Sequence, residues 1–148
     1  MSAPDPGIIS GRLAVMHDLL GYLDRLGDVD GDALRAEIGR RLAVERALCG
    51  LVDQAVDINA HLVARTLGRA PQTHRESFEL AARTPYLPSE VAAALLPSVG
   101  LRNVLGHDYV SADLDLVADA IPLARRDYRR YVRAVARALT GEGTASGA

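Results

Sequence analysis

From Asp32 to Leu67 the apolar residues Leu34, Ile38, Leu42, Leu48, Val52, Ala55 and Leu62 keep a helical stripe until Gly68 and Pro71 end it. One helix over that span, at about 1.5 Å per residue, is a rod of roughly 50 Å, long for a small domain. The segment is therefore read as the spine of the fold. Before it, Ile9, Leu13, Met16, Leu20 and Leu23 predict a first helix over about Ile8 to Leu26, and the Asp-rich Gly27 to Gly31 segment reads as a turn. Thr73 and Glu76 have the spacing of a capping box and start a short third helix that Thr84, Pro85 and Pro88 stop. A fourth helix runs from about Pro88 toward Tyr109, with Pro97 expected to kink or split it. The fifth spans about Ala112 to Leu139, bent at Pro122, with Tyr128, Val132, Val135 and Leu139 toward the core. No run of alternating β-branched residues is present, and 24 alanines and 21 leucines stand against 6 aromatic residues. The chain is expected to be all-α, a bundle of about five helices.

Its 148 residues are enough for one domain, placed at 1–140, with the small and polar 141–148 read as a disordered tail. All 17 basic residues are arginine, which excludes a lysine nucleophile, a Schiff base and a phosphate-loop lysine. Cys49, the single cysteine, excludes an intrachain disulfide and a thiolate metal cluster. The start carries Pro4, Asp5 and Pro6 in place of a secretory signal, and Val91 to Leu101 is too short to span a bilayer. A cytoplasmic protein with no membrane segment is the simplest reading. The net charge of -2 leaves any contact with nucleic acid to a local patch.

One such patch lies near the end of the fourth helix, where Arg102, Asn103, His107 and Tyr109 fall within eight residues. An arginine five residues before a histidine means little alone, since Arg12 with His17 and Arg69 with His74 repeat it. Context separates the third copy: Asn103 directly follows the arginine, Tyr109 stands two after the histidine, and the helix in front is apolar. Positions 102 and 107 are about 140° apart around a helix axis, so one straight helix does not aim both at one atom. Either the helix ends near Gly106, or a two-fold dimer sets the motif against its copy.

The pattern Arg102-Asn103, three spacers, His107, any residue, Tyr109 resembles HepT-type toxins of the HEPN superfamily, which are all-helical ribonucleases. Glu45-Arg46-Ala47-Leu48, Asp57-Ile58 with His61, Ser77-Phe78 and Gly100-Leu101 resemble other segments of that family, over about Arg12 to Leu139. Gly106 departs from the larger apolar residue often found there. The resemblance implies a homodimer, an RNA substrate (mRNA or tRNA) and a cognate partner, the minimal nucleotidyltransferase antitoxin called MntA. It also implies metal-independent endoribonuclease chemistry without a cofactor. His107 and its copy would act as base and acid, Arg102 would hold the phosphate and Asn103 would orient a partner. Tyr109 would be the residue that the antitoxin AMPylates, silencing the site with added phosphate. The alternative is a non-catalytic helical partner that binds such a nucleotidyltransferase and positions its substrate.

Two further groups stand out. Asp53, Asp57 and His61 form a four-residue ladder, thin as a metal site, from which Asp57 and His61 are expected to support the motif from the facing helix. On the last helix Arg125, Arg129, Arg133 and Arg137, with Arg126 and Arg130 beside them, face only Asp127 between Ala120 and Thr140. This is either a solvated face that complements the helix dipole or a track for RNA backbone or an acidic partner, formed by Arg125, Arg129 and Arg133. His17 and His74 are read as ordinary surface or packing residues.

Overall fold

The computed structural model describes residues 2–107 and 113–141, except for the side chain of His107. Six helices follow in order: α1 (Pro6–Leu26), α2 (Gly31–Ala36), α3 (Ile38–Leu67), α4 (His74–Ala81), α5 (Ser89–His107) and α6 (Leu114–Thr140). Local chemistry marks most of their ends. The Asp5 carboxylate accepts from the backbone N–H groups of Gly7 and Ile8, with Pro6 in the first turn, and Asp30 and Asp113 cap α2 and α6 in the same way. Gly68 and Gly141 close α3 and α6 in the left-handed conformation, where a side chain would be strained. At α4, Thr73 Oγ1 accepts from the Glu76 N–H at 3.0 Å while the Glu76 carboxylate reaches back to the N–H of Gln72, one residue earlier than in the usual reciprocal box.

The expected second helix is two helices, because Glu37 has extended backbone (φ -138°, ψ 108°). The short α2 turns away to pack on the start of α6. Leu34 is buried, Arg35 pairs with Asp32 and Asp115, and Gly31 lies so close that a Cβ there would meet Asp115 Oδ1 at 1.9 Å. The apolar stripe breaks with the helix: Ile38 and Leu42, expected inside, are 70% and 52% exposed. From Val44 onward α3 resumes its role as spine, burying Ala47, Leu48, Leu51, Val52, Ala55, Ile58, Leu62 and Val63.

Against it α1 buries the five residues read from its periodicity, Ile9, Leu13, Met16, Leu20 and Leu23. At α6 the core takes Tyr128, Tyr131 and Val135 together with Leu114, Val117, Ala118, Ile121 and Ala124, whereas Val132 and Leu139 pack at its margin. Tyr131 is fully buried and donates to Asn59 Oδ1 at 2.7 Å, and Asn59 donates onward to Ser77 Oγ, so a polar chain links α6, α3 and α4 inside the core. Neither proline divides its helix: α5 continues past Pro97 and α6 past Pro122. No helix among the described residues is long and apolar enough to cross a membrane.

Candidate active site on helix α5

Arg102 and Asn103 sit on the last described turns of α5, which is helical through Gly106 to His107. Of the two geometries open to the sequence, a helix end near Gly106 is compatible with this bound, and the residues that follow, 108–112, lie outside the described ones. Positions 102 and 107 therefore keep the roughly 140° separation of a continuous helix. Tyr109 lies outside the described residues.

Arg102 crosses to α3, where its Nε donates to Asp53 Oδ1 at 3.0 Å. That hydrogen bond and the carboxylate charge raise the guanidinium pKa above its already high value, so its charge is constant at any working pH. Among the described residues neither Nη1 nor Nη2 has an acceptor of its own, and Arg102 borders an apolar groove of about 660 Å³ between α5 and α6. The groove is walled by Leu101, Val104, Leu116, Leu123 and Tyr128, of which Val104, Leu116 and Leu123 are 47%, 61% and 50% exposed. Asn103 takes another side of α5, exposed along a shallower groove toward α4 with Arg75 and Gly100.

The other sequence candidates stand elsewhere. Asp57 Oδ2 accepts from Arg12 Nη1 of α1 at 2.9 Å, and His61 Nε2 accepts the backbone N–H of Asp5 at 2.9 Å. Each four-residue step advances a helical position by about 40°, so His61 is turned about 80° from Asp53 and faces the first helix. Among the described residues the ladder member that contacts Arg102 is Asp53, which spacing alone did not single out. Two members of the arginine ladder are occupied within the fold. Arg125 and Arg129 converge on Asp24 of α1, with Arg129 Nη1 at 3.1 Å from Oδ1, while Arg126 and Arg130 pair with the buried Asp127. Arg133 is exposed and has no ion-pair partner among the described residues. No group of three or more His, Cys, Asp or Glu among them is arranged to hold a metal ion.

Comparison with known proteins gives this arrangement a family. The model of the ribonuclease HepT-like family matches residues 16–135, which include all of α3, α4 and α5. The chain belongs to the ribonuclease HepT-like family. Among HepT-like relatives it is 31% identical over 135 residues to the tRNA nuclease HepT of Aphanizomenon flos-aquae, covering 91% of this chain and 92% of that one. It is 32% identical over 62 residues to the mRNA nuclease HepT of Shewanella oneidensis, a match covering 42% of this chain and 47% of that protein, about half its length. In three dimensions it resembles a tri-AMPylated Shewanella oneidensis HEPN toxin solved in complex with an MNT antitoxin, with a TM-score of 0.76 at 23% identity over 86% of this chain and 96% of that one. The HepT-like fold expected from the motif is thus the fold present, with six helices where about five were expected because α2 breaks from α3.

Proposed function

We propose that this chain is the toxin of a HepT/MntA-type toxin–antitoxin pair, a metal-independent endoribonuclease that cuts mRNA or tRNA. The observation that carries the reading is Arg102 near the end of a family-matched α5, with Nε held by Asp53 and neither Nη group taken by an acceptor among the described residues. A fork of two N–H donors is suited to two oxygens of one phosphate.

Positions 102 and 107 stand about 140° apart around the axis of α5, and in this reading a working site draws on two copies. The apolar groove between α5 and α6 beside Arg102 is the surface assigned to the second copy, which would place both motifs around one cleft. One His107 takes the proton of the ribose 2′-hydroxyl as its oxygen bonds to phosphorus. The bond from phosphorus to the 5′-oxygen breaks, and the other His107 gives that oxygen a proton. The products are a 2′,3′-cyclic phosphate and a 5′-hydroxyl. Arg102 offsets the charge that grows on the phosphoryl oxygens, and Asn103 assists by hydrogen bonding. No cofactor takes part.

Tyr109 is the assigned acceptor of AMP from a nucleotidyltransferase antitoxin, which would bring anionic phosphate to the place the RNA must occupy. The complex of a related toxin with its antitoxin supports that partner. Arg133, without an ion-pair partner among the described residues where Arg125 and Arg129 are engaged, is the remaining candidate for contact with RNA backbone or partner.

The test is expression of wild type, Arg102→Ala and His107→Ala in cells lacking the antitoxin, with purified proteins assayed on bulk tRNA in excess chelator. Wild type is expected to arrest growth and leave cyclic phosphate ends, and both variants to do neither. Equal growth and intact RNA for all three would favour the non-catalytic partner. Cleavage that needs a divalent metal would overturn the mechanism.

A further inference from the structure

We infer that Asp53 is a positioning residue for Arg102 and that Gly106 is the space which lets it act. The inference rests on the ribonuclease reading above and adds to it how the phosphate-binding arginine is aimed. Arg102 leaves α5 and is caught by Asp53 through Nε alone. A guanidinium has five N–H bonds, one on Nε and four on the two terminal nitrogens. Catching the inner one fixes the plane of the group and leaves the outer four for a ligand. A carboxylate on the terminal nitrogens would instead compete with phosphate for the same edge.

Gly106 stands one turn beyond Arg102. A Cβ at that position would lie 2.5 Å from Arg102 Nη1, so the guanidinium end would have to shift from where it now lies. Glycine is not needed there by the backbone, since the glycines with positive φ are Gly27, Gly68 and Gly141, and it weakens a helix interior. What it supplies is room for the guanidinium to lie along its own helix and reach Asp53. The departure from a larger apolar residue at 106 and the pair between α3 and α5 are then two parts of one device.

The pair is also poorly placed to be merely structural. The Arg102 and Asp53 side chains are 27% and 36% exposed, and ion pairs so open to water add little to stability. Asp53 moreover brings a negative charge close to where RNA phosphate is to bind, which opposes binding while it aims the arginine. Its removal should therefore show in turnover rather than in substrate affinity.

The experiment measures kcat and KM on bulk tRNA, by release of 2′,3′-cyclic phosphate ends, for the full-length chain and its variants, each checked by thermal unfolding. Asp53→Ala and Gly106→Val are expected to lower kcat by on the order of 10- to 100-fold with KM unchanged or lower for Asp53→Ala, and unfolding within a few degrees of wild type. Asp53→Asn, which keeps an oxygen to accept from Nε, retains the larger part of kcat. Neither substitution should lower activity further when Arg102 is already alanine. If Arg102→Ala abolishes cleavage while Asp53→Ala and Gly106→Val cleave with wild-type kcat, positioning is overturned and the ribonuclease reading stands. If Arg102→Ala itself cleaves as wild type, the ribonuclease reading fails first. Loss of kcat in Asp53→Ala and Asp53→Asn alike, in step with loss of the folded state, would make the pair structural.

Discussion

Tyr128 of α6 donates its hydroxyl proton to Ser98 Oγ of α5 across 2.7 Å, because Ser98 uses its own proton on the Leu95 carbonyl at 2.6 Å. The bond fastens the long last helix to α5 one turn ahead of Arg102, and burial of the phenol pushes its pKa up, so it remains a donor at any working pH. Tyr128→Phe removes this donor without opening a cavity. It should cost about 1 kcal/mol, a fall of roughly 2–4 °C in unfolding midpoint for a domain of this size. Ser98→Ala should cost a similar amount, and the double variant should fall short of the sum of the two, as groups in direct contact do. Midpoints that add fully would show that the bond contributes nothing in solution.

Asp24 anchors Arg125 and Arg129, and the hydrogen bond from Arg129 is the largest cause holding its carboxyl below the usual carboxylate value. A carboxyl with a depressed folded pKa stabilises the fold above its unfolded value, about 3.9, and that contribution is lost as pH falls through the lower folded one. Asp24→Asn is therefore expected to be less stable than wild type at pH 7, by less than about 1 kcal/mol because the group is partly open to water. The gap should narrow below about pH 4 and close as Asp24 protonates. A gap of the same size at pH 7 and pH 2, from urea unfolding, would assign the loss to packing instead of charge.

Gly31 is where α2 meets α6. An added methyl would lie 2.9 Å from Asp115 Cγ and 3.0 Å from the Asp115 backbone nitrogen, so moving the carboxylate alone does not clear it. Gly31→Ala gains helix propensity yet should destabilise by about 1–3 kcal/mol through overpacking. Gly39→Ala is the control, since its added Cβ approaches no closer than 3.9 Å to the Glu37 side chain. An unfolding midpoint for Gly31→Ala at or above that of wild type would mean that α2 shifts freely on α6.

That junction also explains which parts of the fold were legible in the residues. The stripe of α1 and the Thr73 to Glu76 cap depend on neighbours within a few positions, and both are present as read. The break at Glu37 carries neither proline nor glycine. It follows from α2 docking against Asp115, a contact from the far part of the chain, and it exposes Ile38 and Leu42 despite their helical spacing. The site divides in the same way. Arg102, Asn103, His107 and Tyr109 are recognisable by local order, but the choice of Asp53 over Asp57 and His61 depends on how α3 and α5 cross, which no single helix encodes. The visible clue was Gly106, whose missing side chain makes sense only once Arg102 is seen lying over it.

Leu116 and Leu123, two turns apart on α6 and at least half exposed, line the groove beside Arg102 together with Val104 of α5. Apolar side chains on one continuous face lose contact with water when a second copy covers them, at about 25 cal/mol per Å² buried. If the active site is shared between two chains, covering this groove and cutting RNA are one event. Leu116→Asp with Leu123→Asp places two carboxylates in the groove while leaving Arg102, Asp53 and the buried core untouched. In sedimentation at micromolar concentration the wild type is expected to be a dimer and the double variant a monomer, with helical content unchanged and RNA cleavage lost. Adding Arg102→Ala to the double variant should then change nothing. A monomeric wild type that cuts RNA, or a monomeric double variant that cuts as well as wild type, would place Arg102 and His107 of one chain in the same site and remove the need for a partner copy.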